Sequence, residues 1–491
     1  MQLSRFVLNA VLSVLFSALF AACSQAQPAY TELISPTVAP REFFGWAFGG
    51  LPDLTRDGVG EFYVVASSRV YVYDGEKLQP RYWVDSSCSG DIGYPTHSAG
   101  DLNGDGIPDL MLGQRCADQV GQVVVVDGAS GAELFTVDSP NPVNLGFFGT
   151  TLRLLPDMTG DGKPDWLIHQ PEYQSTIGRV YVFDSQTHEI VRTIQRADPP
   201  HRFWMEFIDV IPDVDGDGKP ELLVGTKSAS VTRNGQTFSF AGRAIVRSLQ
   251  TGAVLYELLD PEPKASGWFG SALSGVGDIN ADGFADIAVG TFPKDNYDGG
   301  IYLFSGKDGG WLRTVRSPSL QGGGGFGRKI ESLPDLNGDG VPELWTQEAA
   351  LRLTHIFDGA TSALLRSIPY PNELFRKTFY IGTVRQTAPP GISAYLFASE
   401  FDGDSNEGRV YYMPFMPLPK PPQLKSLGVS NTGFRIQVIG DTGSKVEVQS
   451  TGDFKTWETV SSVTLGNQAV EVEDSTAASR AYRFYRAVSS Q

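Results

Sequence analysis

The stretch DLNGDGIPD, Asp101 to Asp109, places acidic or amide side chains at its first, third, fifth and ninth positions and a glycine at its sixth. Like charges packed so closely repel one another. A hard cation such as Ca2+, which takes six to eight oxygen ligands, would relieve that repulsion if the backbone curled enough to bring the oxygens to one point. Glycine at position six permits the curl, and position seven can add its carbonyl. On this reading the ligands are Asp101, Asn103, Asp105, the carbonyl of Ile107, and Asp109.

The pattern recurs five more times. The corresponding sets are Asp53, Thr55, Asp57, Val59 and Glu61; Asp157, Thr159, Asp161, Lys163 and Asp165; Asp213, Asp215, Asp217, Lys219 and Glu221; Asp278, Asn280, Asp282, Phe284 and Asp286; and Asp335, Asn337, Asp339, Val341 and Glu343. These positions hold 19 carboxylates in a chain of formal net charge −17. Six bound Ca2+ ions would bring the net charge to about −5. An EF-hand would need a bidentate Glu at position twelve, where Leu112 and Val224 stand. A cluster of Asp, Asn and Gly can also serve only to make a turn, but six copies in register, each with an acid at position nine, go beyond turn chemistry. Mg2+ demands tighter octahedral geometry and fits less well. The expected role is structural, with an affinity on the order of 10⁻⁴ to 10⁻³ M, typical of extracellular modules.

Loops spaced this way need a scaffold that repeats. They start at residues 53, 101, 157, 213, 278 and 335 of a 491-residue chain, a spacing that holds four short strands with turns. An aromatic-Gly element precedes most loops, as in Phe147-Phe148-Gly149, Trp268-Phe269-Gly270 and Gly325-Phe326-Gly327. A short apolar run follows each loop (LMLG, LLVG, IAVG) and reads as a buried strand, then a Gly-led alternating strand, then a fourth strand. A seventh unit over Phe375 to Phe415 keeps its strands but has RQTAPPG, Arg385 to Gly391, in place of the acidic loop, so it should bind no ion. It also lacks a fourth strand, while an unmatched TELISP, Thr31 to Pro36, stands ahead of the first unit. Ring closure explains both: the N-terminal strand completes the last sheet and protects its edge. The expected fold is all-β, a seven-bladed β-propeller over residues 31–416.

These residues resemble the FG-GAP repeats of the integrin α-chain propeller family. The resemblance covers about four fifths of the chain through six acidic loops and the aromatic-Gly elements. It implies that the acidic loop joins strands one and two of each blade and binds calcium, and that partners dock on the opposite face. The further domains of integrins are not expected here, so the resemblance is not taken to imply integrin function.

Other segments set the context. Residues 1–26 read as an export signal, with Arg5 before an apolar run from Phe6 to Phe20. Two processing sites compete: Ser24-Gln25-Ala26 for ordinary cleavage, and Phe20-Ala21-Ala22-Cys23, which resembles a bacterial lipoprotein box that would lipidate Cys23. Cys88 and Cys116 are most simply one disulfide in an exported chain, two buried free thiols being the other reading. PLPKPPQ, residues 417–423, reads as a stiff linker. Residues 424–491 alternate with period two, read as a small β-sandwich, and resemble fibronectin-type-III-like modules of secreted bacterial proteins, with Trp457 in its core.

No catalyst emerges. The five histidines (97, 169, 188, 201, 355) show no metalloprotease spacing, and no G-x-S-x-G elbow is present. GGGGFG, Gly322 to Gly327, opens a strand rather than a helix, which argues against a phosphate cradle. Phe148, Phe269 and Phe326 are expected to pack between blades rather than stack on sugars. The connections Thr226 to Gly242 and Phe292 to Gly300 are the expected partner-facing surface. The net charge argues against nucleic acid and anionic membranes. The expected protein is a non-enzymatic calcium-binding propeller, secreted or on the outer envelope of a bacterium, that binds an extracellular protein or glycan. Membrane contact would come only through a lipid anchor. The alternative is a calcium-dependent polysaccharide lyase on a related propeller.

Overall fold

A computed structural model describes residues 31–489 apart from 38–42, 89–90, 117, 174–177, 196–206, 292–298, 320–324, 349–350, 370–377, 386–393, 402–407, 416–421, 441–443, 453–455, 467 and 478–482. The expected export signal with Cys23, His201, most of Phe292 to Gly300, most of the expected linker, nearly all of RQTAPPG and the first residues of GGGGFG therefore lie outside the described residues. Among the described residues no helix is long and apolar enough to cross a membrane.

The chain is all-β. Among the described residues, seven antiparallel sheets have four strands each, and six of them draw all four strands from one sequence unit. In unit two, for example, the strands are Asp91–Gly100, Asp109–Arg115, Gln122–Val126 and Glu133–Asp138. In the sheets of units one to six, burial is deepest in the second and third strands and least in the fourth. The second strands are almost wholly buried, as the apolar runs foretold, whereas the fourth strands show an exposed-rich pattern such as that of Leu364–Pro369. The outermost strand pairs edge to edge with the third, and its side chains are mostly exposed or half-buried.

The last sheet is completed from the start of the chain. Thr31–Ile34 runs antiparallel to Gly408–Phe415, pairing Leu33 with Val410 and Ile34 with Arg409. Leu33 is buried in this pairing, and Arg409 Nη1 donates to Glu32 Oε1 at 2.6 Å. The edge that strand three would otherwise expose is thereby hydrogen-bonded.

Apolar clusters join consecutive sheets. Phe148, fully buried, sits among Val123 and Val125 of unit two and Leu152, Trp166 and Ile168 of unit three. Phe269 bridges units four and five, and Phe326 bridges five and six, in the same way. These aromatics pack between sheets, as expected. The backbone comes equally close: a Cβ on Gly242 would lie 2.0 Å from the carbonyl of Phe269, and one on Gly299 1.7 Å from that of Phe326. Only glycine fits there. The same contact recurs between Gly408 of the last sheet and the carbonyl of Phe44, ahead of the first sheet, at 1.6 Å. Unit seven thus meets unit one as neighbouring units meet elsewhere.

Two expectations are refined. The connection from Thr226 to Gly242 is not irregular but folds into a hairpin, Val231–Arg233 with Gln236–Phe238, around Asn234 and Gly235, both at positive φ. Asn-Gly suits that two-residue turn. The C-terminal residues form two three-stranded sheets around Ile436, Val438, Val446, Val448, Leu465 and Val472, the first strand being Gln423–Val429. Trp457 is not in that core. It is half-buried at the margin, with the Arg486 guanidinium 4.1 Å from its ring centroid, a cation–π contact that needs the ring face open to a charged group.

Candidate metal centre

Each acidic loop joins the first and second strands of its sheet. The loop residues build their own cradle before any ligand enters. The position-one Asp is the hub: in the second loop Asp101 Oδ1 accepts from Gly104 N at 2.7 Å and its Oδ2 from Gly106 N at 2.9 Å. Asp53, Asp157, Asp213 and Asp335 do the same, and Asp278 accepts from Asp282 and Gly283. The position-five Asp caps the residue two further on, as Asp105 Oδ1 does for Ile107 N at 2.7 Å. The position-six glycines all have φ between 81° and 90°, the left-handed turn the sequence pattern anticipated.

The position-nine acid is the anchor. Glu61, Asp109, Asp165, Glu221, Asp286 and Glu343 are all fully buried. Each accepts from the backbone N–H of position two through one oxygen. The second oxygen divides the loops. In the three Asp loops it is occupied by the turn between strands three and four: Gly128 N to Asp109 at 3.1 Å, Ser185 N to Asp165 at 3.3 Å, Gly306 N to Asp286 at 3.1 Å. In the sixth loop Glu343 Oε1 accepts from Asn337 N at 3.2 Å. Glu61 Oε1 and Glu221 Oε1 have no partner, although buried.

Loops one and four are also where the acids converge. Asp53, Asp57 and Glu61, and Asp213, Asp215, Asp217 and Glu221, bring one ligand atom each to within 4.8 Å of one another. Among the described residues the carboxylates of the other four loops do not gather so tightly. In loops two, three and five, both oxygens of the shorter Asp are held by backbone donors. A buried carboxylate oxygen without a hydrogen bond is costly, and a divalent cation at the mouth of either converged cluster would satisfy it.

The electrostatics follow from this burial. Loss of water pushes the Glu61 carboxyl up to about 7, Glu343 to about 7 and Asp286 to about 6. Burial, with the neighbouring charges of Asp215, Asp213 and Asp217, pushes Glu221 to about 8. Asp157, which faces solvent and accepts from Gly160 and Gly162, is held below the ordinary carboxylate range.

One set of residues at the loops was not read from the sequence. In units one to six the turn between strands three and four begins with Asp or Ser, and in three of these sheets that side chain meets the acidic loop. Asn103 Nδ2 donates to Asp127 Oδ2 at 2.7 Å, Asn337 Nδ2 to Asp358 Oδ2 at 2.9 Å, and Ser305 Oγ to Asp282 Oδ2 at 3.1 Å. The Asp-Gly or Ser-Gly that recurs after the third strand in units one, two, five and six was the signal. At the other end of the second strand of unit two, Cys88 and Cys116 form a disulfide with Cα atoms 5.4 Å apart.

The described histidines stand apart from the loops. His355 Nε2 lies 2.9 Å from Glu348 Oε2 and its Nδ1 2.9 Å from Ser367 Oγ. Ser317 of the preceding unit donates to the same Glu348, as Ser139 does to Gln170 three units earlier in the pattern, so this Ser-His-Glu set is a seam between neighbouring sheets.

The chain is similar to known proteins in this region. Residues 269–304, which contain the fifth acidic loop, match the FG-GAP repeat. Integrin alpha-4 of Xenopus laevis is 28% identical over 184 residues, 35% of this chain and 17% of the relative. Integrin alpha-IIb of Mus musculus is 27% identical over 220 residues, 43% of this chain and 21% of the relative. Integrin alpha-11 of Homo sapiens is 34% identical over 184 residues, 35% of this chain and 15% of the relative. The chain therefore spans a minor part of the length of these relatives. With the repeated four-stranded sheets, these matches support an integrin-alpha-like FG-GAP propeller.

Proposed function

We propose that this protein is an exported, calcium-loaded, seven-bladed propeller over residues 31–416 that binds an extracellular protein or a glycan and performs no chemistry of its own. The observation that carries the metal reading is the pair of buried carboxylate oxygens, Glu61 Oε1 and Glu221 Oε1, left without a partner inside converged acidic clusters. Side chains at positions one, three, five and nine, with the position-seven carbonyl, would hold about six Ca2+ ions along one edge of the ring. Calcium there is a structural cation: it neutralises the loops and ties the first strand of each sheet to the second. The face away from the loops, with the Val231–Phe238 hairpin, is left to the partner. Likeness to integrin alpha chains favours a protein partner. The protein would work outside the cytoplasm, secreted or on the outer envelope of a bacterium, with the sandwich over 424–491 as a fibronectin-type-III-like accessory module.

Thermal melting of the full chain in calcium and in excess chelator tests the metal reading. Each site held at ten times its Kd adds about 1.4 kcal/mol, so chelation should lower the melting temperature by several degrees. An unchanged curve would refute it. A screen against extracellular proteins and glycans, with and without calcium and beside an assay for lyase products on acidic polysaccharides, tests the binding role. Product release would overturn the non-enzymatic reading.

A further inference from the structure

The acidic loops touch one another through two basic side chains. Arg56, at position four of the first loop, donates from Nη2 to the carbonyl of Asp105 in the second loop. Its guanidinium lies over Gly106, where a Cβ would come within 2.6 Å of Nη2. Lys219, at position seven of the fourth loop, donates from Nζ to the carbonyl of Asp157 in the third. The two sending loops are those with an unpartnered buried Glu oxygen.

Arg56 stands in a costly place. Position four is left-handed in all six loops, with Gly at four of them and Ala281 at one, yet Arg56 adopts φ 64°. A residue with a large side chain is strained in that conformation, so chain geometry alone favours glycine there. Neither receiving carbonyl is an expected cation ligand, since those of Asp105 and Asp157 are at positions five and one rather than seven. The cross-loop bonds can therefore coexist with a filled site. Lys219 links the two loops directly: its own carbonyl is an expected ligand in loop four while its ammonium sits on loop three.

We propose that Arg56 and Lys219 are tethered counter-charges that regulate cation occupancy of the neighbouring loop, loop two for Arg56 and loop three for Lys219. A resident positive charge neutralises part of the receiving loop's acids while it is empty and opposes the entry of a divalent ion. The pairs one–two and four–three should thus load differently from loop six. This rests on the reading that the loops bind calcium.

The test is calcium occupancy, loop by loop, in crystals of the full chain equilibrated at graded calcium, for the wild type, Lys219→Gln and Arg56→Gly. In Lys219→Gln, loop three should half-fill at roughly two- to fivefold lower calcium, the effect of a screened unit charge on a divalent ion, with loop six unmoved as the internal reference. Arg56→Gly should shift loop two in the same way. In solution titrations the gain should shrink towards nothing in about 1 M salt, where screening acts over only ~3 Å, whereas a purely structural effect would persist. Filled wild-type loops with no shift in the receiving loop, a shift to higher calcium, or loops two and three that stay empty in wild type and variants while other loops fill, overturn the counter-charge role alone. Loops empty at every calcium concentration in the wild type overturn the calcium reading and this inference with it. Lys219→Gln, which alters only a side-chain charge, keeps the test decisive if Arg56→Gly fails to fold.

Discussion

At the scale of single residues, the buried position-nine acids dominate. Glu61, Glu221, Glu343 and Asp286 are pushed up to about 7, 8, 7 and 6 in the fold, above ordinary values near 4 in the unfolded chain. A carboxyl raised in the folded state contributes stability that is complete below its unfolded value and lost as pH rises through its folded one. Calcium-free protein should therefore melt at a lower temperature at pH 8.5 than at pH 5. Saturating calcium should abolish or reverse that difference, because the ion replaces the proton on the same oxygens. Melting curves at the two pH values, each in chelator and in calcium, check this. Equal or greater stability of the chelated protein at pH 8.5 would rule out burial of these acids without a counter-ion. The position-one Asp157, held low, acts only in acid, below about pH 4, so the two windows do not overlap.

At the scale of elements, the aromatic-Gly turns hold one sheet to the next. Phe269 N donates to Ala241 O at 2.8 Å, as Phe148 N does to Val120 O, while each ring fills the space between two sheets. Phe269 is fully buried, so Phe269→Ala should cost about 3–5 kcal/mol through lost burial and a cavity between units four and five. Denaturant unfolding monitored by tryptophan fluorescence would measure it, and a loss under 1 kcal/mol would mean that the neighbouring sheets close over the gap. The aromatic-Gly pairs were legible in the sequence because they recur ahead of most of the acidic loops. Their packing role was legible from their apolar character. The glycines they press against, Gly242 and Gly299, lead the third strands, but the sequence did not show that a Cβ there would come within 2 Å of the Phe269 or Phe326 carbonyl, because that approach is made between neighbouring sheets.

At the scale of the whole molecule, one short strand closes the last sheet. Thr31–Ile34 lies next to Gly408–Phe415 across nearly the whole propeller sequence. Removing residues 31–34 should expose the row of donors and acceptors along Gly408–Phe415 and cause self-association, read by light scattering, together with a lower melting temperature. Leu33→Asp, which keeps the backbone pairing and buries a charge, should lower the melting temperature with less self-association. A truncated protein that stays monomeric with unchanged melting would show that the strand is dispensable. The unmatched fourth strand made this pairing readable in advance, because a count of strands per unit leaves one surplus at the start and one deficit at the end.

The repeat period, the acidic-loop composition and the strand count determined the all-β architecture, the seven four-stranded sheets and the strand that completes the last of them. They could do so because each is written locally: alternation for strands, glycine for the curl, acids for a cation. Tertiary structure alone decided which oxygens remain open. Asp109, Asp165 and Asp286 are carboxylates at the same loop position as Glu61 and Glu221, yet each is clasped by a turn some twenty residues away. Glu61 and Glu221, one methylene longer, keep an oxygen open. That distinction, like the reach of Arg56 and Lys219 into the next loop, depends on distances between segments remote in sequence, which no local pattern encodes.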